Sequence, residues 1–178
     1  TDSISFEEGT WPIIAGPNTV EDKDMMFRCA EILEKKKIKL MRGGIYKPLT
    51  FPYRSDKYFE LRDEGLRYLE DAKNETGLPI ITEVMETEKV KAVAEVADIL
   101  QIGTRNMQNF PLISAAAKTM KPIMIKRHFG CSIRDWLGAA EYGLILLACG
   151  FNSNVIRFLP ALTISDDIAN EGLDKFTE

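Results

Sequence analysis

Histidine and cysteine are scarce in this chain. His128 is the single histidine, and Cys29, Cys131 and Cys149 are the three cysteines among 178 residues. The cysteines are odd in number and lack the close pairs of a zinc ribbon or a disulfide framework. They read as reduced thiols, two of them at buried helix positions, in a reducing, cytoplasmic compartment. Long apolar runs are missing too: the longest, residues 143–149, is far too short to span a bilayer. The first residues are polar and acidic, so neither a signal peptide nor a membrane partner is expected. Excess positive charge is also absent. Lys and Arg total 23 against 27 Asp and Glu, for a net charge of −4 and a pI near 5.2. That balance argues against a nucleic-acid partner. There is no low-complexity segment, and nothing repeats except an alternation of short apolar runs with helical stretches.

Five apolar runs share one design. Each is a strand-like segment followed by polar or charged residues: Trp11-Pro-Ile-Ile-Ala-Gly-Pro-Asn18, Ile38-Lys-Leu-Met-Arg-Gly-Gly-Ile-Tyr-Lys47, Leu78-Pro-Ile-Ile-Thr-Glu83, Asp98-Ile-Leu-Gln-Ile-Gly-Thr-Arg-Asn106 and Lys121-Pro-Ile-Met-Ile-Lys-Arg-His128. Short continuous apolar runs fit strands buried on both faces. A strand that ends in glycine lets backbone N–H groups approach an anion, and an arginine just beyond can fork onto a phosphate or carboxylate. A small basic cluster inside an acidic protein points to a small anionic ligand.

Helical periodicity lies between the runs. Residues 21–37 place Met25, Met26, Cys29, Ile32 and Leu33 on one face; residues 63–76 do so with Leu66 and Leu69 and stop at Gly77. Residues 87–96 follow Thr87 as N-cap and carry Val90, Val93 and Ala94. Residues 132–148 follow Ser132 and carry Ile133, Trp136, Leu137 and Ala140. This alternation predicts an α/β fold of parallel βα units. Chemistry at the carboxyl ends of five successive strands favours a (β/α) TIM-barrel-like wall over an open doubly wound sheet. A sixth strand is predicted at residues 154–159, which gives about six units in one domain over 1–178. A full barrel usually needs about 250 residues, so the barrel is expected to be incomplete. Open sheet edges would then favour homo-oligomers. The long irregular stretch 47–62 is a candidate functional loop.

Residues from about 13 to 142 resemble 3-deoxy-D-arabino-heptulosonate 7-phosphate (DAHP) synthase in its short bacterial and archaeal form. The resemblance rests on Ala15-Gly-Pro17, Arg42-Gly-Gly-Ile-Tyr-Lys-Pro48, Pro52-Tyr53, Thr76-Gly-Leu-Pro79 and Thr82-Glu-Val-Met85. It continues through Asp98-Ile-Leu-Gln-Ile-Gly103, Arg105-Asn-Met-Gln-Asn-Phe110, Lys121-Pro122, Lys126-Arg127 and Ala139-Ala-Glu-Tyr142. It implies condensation of phosphoenolpyruvate with erythrose 4-phosphate, the opening of aromatic amino-acid biosynthesis on the shikimate pathway. Arg42 and Lys47 would hold the phosphoenolpyruvate carboxylate, with Lys47 polarising the aldehyde. Gly103, Thr104, Arg105 and Lys126 would hold its phosphate, and Thr50 would sit by the aldose phosphate. Apart from the resemblance, Glu83 at its strand end either orients Lys126 or water or makes a plain pocket salt bridge.

The resemblance has departures. Asn18 occupies the position of the family's metal-binding cysteine and is what metal-independent octulosonate phosphate synthases carry. With no counterparts of the late ligands either, a divalent metal is not expected. The family's aldose-phosphate loop, Lys-Pro-Arg-Thr-Ser, reads Lys47-Pro-Leu-Thr-Phe51 here, so Leu49 removes an arginine and Phe51 a hydroxyl. Thr104 stands for an alanine, and His128 for a glycine. Residues 143–178 resemble instead the C-terminal segment of pyridoxal-phosphate ω-aminotransferases such as 4-aminobutyrate aminotransferase. There the residue matching Arg157 meets a substrate carboxylate. The Schiff-base lysine region is absent, so pyridoxal phosphate is not expected, and the junction near Tyr142 reads as a fusion.

Each candidate has a plainer alternative. His128 is a base or a polar strand-end residue. Arg105 and Lys126 grip an anion or pair with Glu83. The run 34–39 is a solvated helix end, favourable for the helix dipole, and Trp11 and Trp136 are packing residues. Three functions follow: a DAHP-synthase-like transferase of weak or lost activity; a non-catalytic truncated or chimeric barrel, with a vestigial phosphate pocket or as a scaffold or self-associating module; and metal-free octulosonate-type chemistry resting on Asn18.

Overall fold

The computed structural model describes residues 13–46 and 61–141. Five parallel strands form one sheet: β1 (Ile14–Ala15), β2 (Leu40–Arg42), β3 (Ile80–Glu83), β4 (Ile99–Ile102) and β5 (Ile123–Ile125). Each falls inside one of the five apolar runs, and the polar residues that follow lie beyond or at its carboxyl end. The strand order is β1-β2-β3-β4-β5, without reversal. A doubly wound sheet would step back past its first strand; an unreversed parallel order is that of a barrel wall. The fold is α/β and TIM-barrel-like, with five βα units among the described residues.

The helices are α1 (Lys23–Lys35), α2 (Arg62–Thr76), α3 (Val90–Val96), α4 (Phe110–Ala117) and α5 (Ile133–Glu141). Neighbours pack in sequence, α1 on α2, α2 on α3 and α3 on α4. Met26, Leu33, Leu69, Val93, Leu112 and Ala116 from the helices bury against Met41, Ile80, Leu100, Ile102 and Ile123 from the sheet. A second, smaller cluster of Leu40, Ile81 and Ile99, with Ile14 and Met124, occupies the opposite face. Strand residues alternate between the two faces, as a pleated sheet requires.

Local chemistry sets the helix ends. The Asp22 carboxylate accepts from the Met25 N–H at 2.7 Å and opens α1. Gly77, at φ 70°, closes α2 in the left-handed conformation expected of a glycine stop. Ser132 and Asp135 form a reciprocal capping box on α5: the Asp135 N–H donates to Ser132 Oγ (3.1 Å) and the Ser132 N–H to Asp135 Oδ2 (3.0 Å). At the opposite end of the wall, Asp98 accepts from the Ile80 N–H (2.8 Å) and pairs with Lys73 Nζ (2.8 Å), fastening β4 to β3 and α2.

Three expectations need correction. Thr87 is not an N-cap: it lies inside a 3-10 turn, Thr87–Lys89, that precedes α3 and has no side-chain cap bond. Ile32 is 57% exposed, and Ala30 faces the core in its place, so the apolar stripe of α1 is narrower than its composition implies. On α5, Ile133 and Leu137 are exposed while Ala139 and Ala140 are buried, and Trp136 is held by its Nε1–H donating to the Ile125 carbonyl at 3.0 Å. Helix α4 was not anticipated. The sixth strand at 154–159, Cys149 and the aminotransferase-like segment 143–178 lie outside the described residues.

Candidate functional site

The strands deliver a polar set to one face of the sheet. Register puts Arg42 beside Ile81, Glu83 beside Gln101 and Gln101 beside Met124. Ile81 and Met124 belong to the face opposite the helices, so Arg42, Glu83 and Gln101 share it. Lys126, two residues past Met124, continues along the same side by alternation. Two cations and one carboxylate thus lie over the apolar layer of Leu40, Ile81 and Ile99, at the carboxyl ends of β2, β3, β4 and β5.

Glycines permit the close approach of the first two strand ends. Gly16 has φ 141°, and a Cβ there would come within 2.0 Å of the Arg42 carbonyl oxygen. This contact brings the turn after β1 against β2, where Asn18 Oδ1 accepts from Arg42 Nη2 at 2.6 Å. Gly43 packs against Leu69, and its carbonyl accepts from the buried Thr82 hydroxyl at 2.6 Å. The Val20 N–H reaches the Gly44 carbonyl at 2.8 Å. The Asn18 side-chain oxygen is thus engaged by the Arg42 guanidinium. Among the described residues no three His, Cys, Asp or Glu side chains gather at metal-binding range.

Glu83 is the buried carboxylate of the set, 6% exposed, beside Gln101 at 2%. Gln101 Nε2 donates to Glu83 Oε2 at 2.9 Å. A Cβ on Gly103 would lie 1.9 Å from Glu83 Oε1, so the Glu83 carboxyl occupies the space that the missing side chain leaves. Past Gly103 the chain enters a 3-10 turn, Thr104–Asn106, in which Arg105 is exposed and Thr104 half-buried. The Lys126 N–H donates to the Ile102 carbonyl at 3.0 Å, setting the end of β5 beside that turn.

Beyond Lys126 the side chains make local contacts. Arg127 donates through Nε and Nη2 to the Cys131 carbonyl at 2.9 and 2.7 Å. His128 Nδ1 accepts from the Gly130 N–H at 3.0 Å, and its ring stacks on Phe129 at 4.4 Å. Cys131 is buried ahead of α5, and Cys29 is half-buried on α1, where burial pushes its thiol pKa up.

A second polar cluster closes the stem of the 47–60 stretch. The Ile45 carbonyl accepts from the Arg62 N–H at 3.1 Å. The buried Tyr46 hydroxyl donates to Asp63, and Lys89 Nζ reaches both Asp63 oxygens at 2.7 and 3.0 Å. Burial, then the Asp63 bond, pushes the Tyr46 phenol up; Lys89, then Tyr46, holds the Asp63 carboxyl below its ordinary value. Lys47 and Thr50, predicted in this loop, and Arg157 lie outside the described residues. Sequence reasoning missed Gln101 and the Tyr46–Asp63–Lys89 cluster. A polar residue in phase with Ile99 on a buried strand is the signal that would have found Gln101.

Residues 5–159 match the model of the DAHP synthetase I family. The chain belongs to this family. It is 41% identical over 139 residues to a phospho-2-dehydro-3-deoxyheptonate aldolase of Thermotoga maritima, over 78% of this chain and 40% of the relative. It is 34% identical over 150 residues to a 2-dehydro-3-deoxyphosphooctonate aldolase of Bordetella petrii, over 81% and 53% respectively. The crystal structure of the Thermotoga maritima phospho-2-dehydro-3-deoxyheptonate aldolase (DAHP synthase) superposes with a TM-score of 0.69, over 76% of this chain and 38% of that one. A truncated form of the Thermotoga maritima 3-deoxy-D-arabino-heptulosonate 7-phosphate synthase gives 0.69 at 34% identity, over 95% and 61%. The chain therefore spans from about two fifths to three fifths of the length of these relatives. No helix among the described residues is long and apolar enough to cross a membrane.

Proposed function

We propose that the strand ends form a phosphoenolpyruvate site. With a phosphorylated aldose, erythrose 4-phosphate, the site would support the aldol-type condensation of DAHP synthases, with water attack and phosphate loss. The observation that carries this reading is the convergence of Arg42, Glu83, Gln101 and Lys126 on one sheet face beside Gly103. Arg42 takes the carboxylate; Lys126, Arg105 and the Gly103–Thr104 backbone take the phosphate; Glu83 orients Lys126 or water. Lys47 would join Arg42 on the carboxylate and polarise the aldehyde, and Thr50 would serve the aldose phosphate. Juxtaposing two anionic substrates needs several cations, which lower both the binding cost and the charge developing in the transition state.

Leu49 and Phe51 in place of the family's arginine and serine favour weak turnover. They equally support a second reading, a module that keeps the anion pocket but yields no product. Calorimetric titration with phosphoenolpyruvate tests the common ground. Saturable binding is expected, weakened at least about tenfold in Arg42→Ala and in Lys126→Ala, the loss of a charge-assisted contact of about 1.5 kcal/mol or more. No binding at millimolar ligand overturns the site. Product formed with erythrose 4-phosphate then separates the two readings.

A further inference from the structure

We propose that Gln101 is a positioning residue that acts through Glu83. A carboxylate only accepts hydrogen bonds, so the bond at 2.9 Å fixes the Gln101 amide with its NH₂ toward Glu83 Oε2. Both side chains are almost fully buried. They stand opposite each other in the β3–β4 register, so the strand pairing itself sets their spacing. With Oε2 held, the other oxygen is turned to the gap above Gly103, where a Cβ would stand 1.9 Å away. Gln101 and Gly103 thus hold the carboxylate from two sides, one by donating and one by leaving room. The charged side chains on the same face come from β2, Arg42, and from the end of β5, Lys126; Arg105 is exposed in the turn beyond Gly103. Held by Gln101, the Glu83 carboxylate keeps one orientation on that face, the one from which it would orient Lys126 or water.

This inference takes its ligand class from the phosphoenolpyruvate reading, and two measurements keep them apart. The first needs no ligand. In ¹⁵N-labelled protein the Gln101 side-chain amide protons are expected to resonate apart from those of solvated glutamines and to exchange slowly. In Glu83→Ala they collapse toward ordinary values. An amide signal indifferent to Glu83→Ala overturns the positioning role whatever the protein binds. The second is a double-mutant cycle on phosphoenolpyruvate affinity. Gln101→Met, close to isosteric, is expected to weaken binding about tenfold in the native background and less than about twofold in Glu83→Ala. An equal effect in both backgrounds means that Gln101 acts elsewhere and overturns the inference. If Gln101→Met does not fold, Gln101→Asn, which withdraws the amide by one methylene, serves the same cycle. Wild-type protein that binds no phosphoenolpyruvate defeats the ligand reading, and the amide signature still decides the role of Gln101.

Discussion

At the residue scale, Gly103 and the buried Glu83 carboxyl constrain each other. Gly103→Ala is expected to force the buried carboxylate aside and destabilise the protein by about 1–3 kcal/mol, as overpacking does. Urea unfolding measures the loss, and a midpoint unchanged from wild type would show that Glu83 has another place to go. Glycine at this position looks in the sequence like a device for ligand approach; the structure adds a carboxyl already seated there. That partnership was illegible because register between strands is not written along one strand. The residues of the strand ends were legible individually: Arg42, Glu83, Gly103 and Lys126 stand out as polar interruptions after apolar runs. Their pairings, Arg42 with Asn18 and Gln101 with Glu83, depend on which strands become neighbours.

Among the elements, the strands were readable because short apolar runs bounded by Gly, Pro and charge have few other uses. Helix α4 was not. Its sequence, Phe110-Pro-Leu-Ile-Ser-Ala-Ala-Ala117, lacks a polar face, so no 3.6-residue rhythm appears, and its N-cap, Asn109 accepting from the Leu112 N–H at 3.2 Å, sits in an otherwise loop-like string. Two element-level links are open to test. Asp98→Ala removes both the Lys73 ion pair and the acceptor for the Ile80 N–H, and is expected to cost about 2 kcal/mol in urea or thermal unfolding. Ser132→Ala breaks the α5 capping box at about 1 kcal/mol. The box also depends on pH. Ser132 holds the Asp135 carboxyl below its unfolded value, so this contribution is complete above that value and fades as pH falls through the folded one. The stability difference between wild type and Ser132→Ala should therefore shrink on acidification below about pH 4; a difference that grows there would contradict the assignment.

For the molecule as a whole, the unreversed strand order and the helix-to-helix succession were visible as a rhythm of βα units, and the barrel-like wall follows from it. The Tyr46–Asp63–Lys89 cluster was not visible, because it joins residues 46 and 63 to a turn that follows a different strand. Its pH response is two-sided. Asp63, held low, stabilises above its unfolded pKa and loses that contribution as pH falls; Tyr46, held high, stabilises below its unfolded pKa and loses that contribution as pH rises through the alkaline range. Asp63→Asn should abolish the acid limb of a stability-versus-pH curve and only reduce the alkaline one, since Tyr46 stays buried; a curve of unchanged shape would place the charge coupling elsewhere. The strand order has a kinetic consequence as well. Among the described residues, each strand pairs only with its neighbours in chain order, so none of these pairings awaits a distant segment. A polypeptide growing from its N-terminus offers each new described strand a finished edge to land on, and loop-closure entropy is met one unit at a time. A wall of this kind can condense unit by unit behind the ribosome.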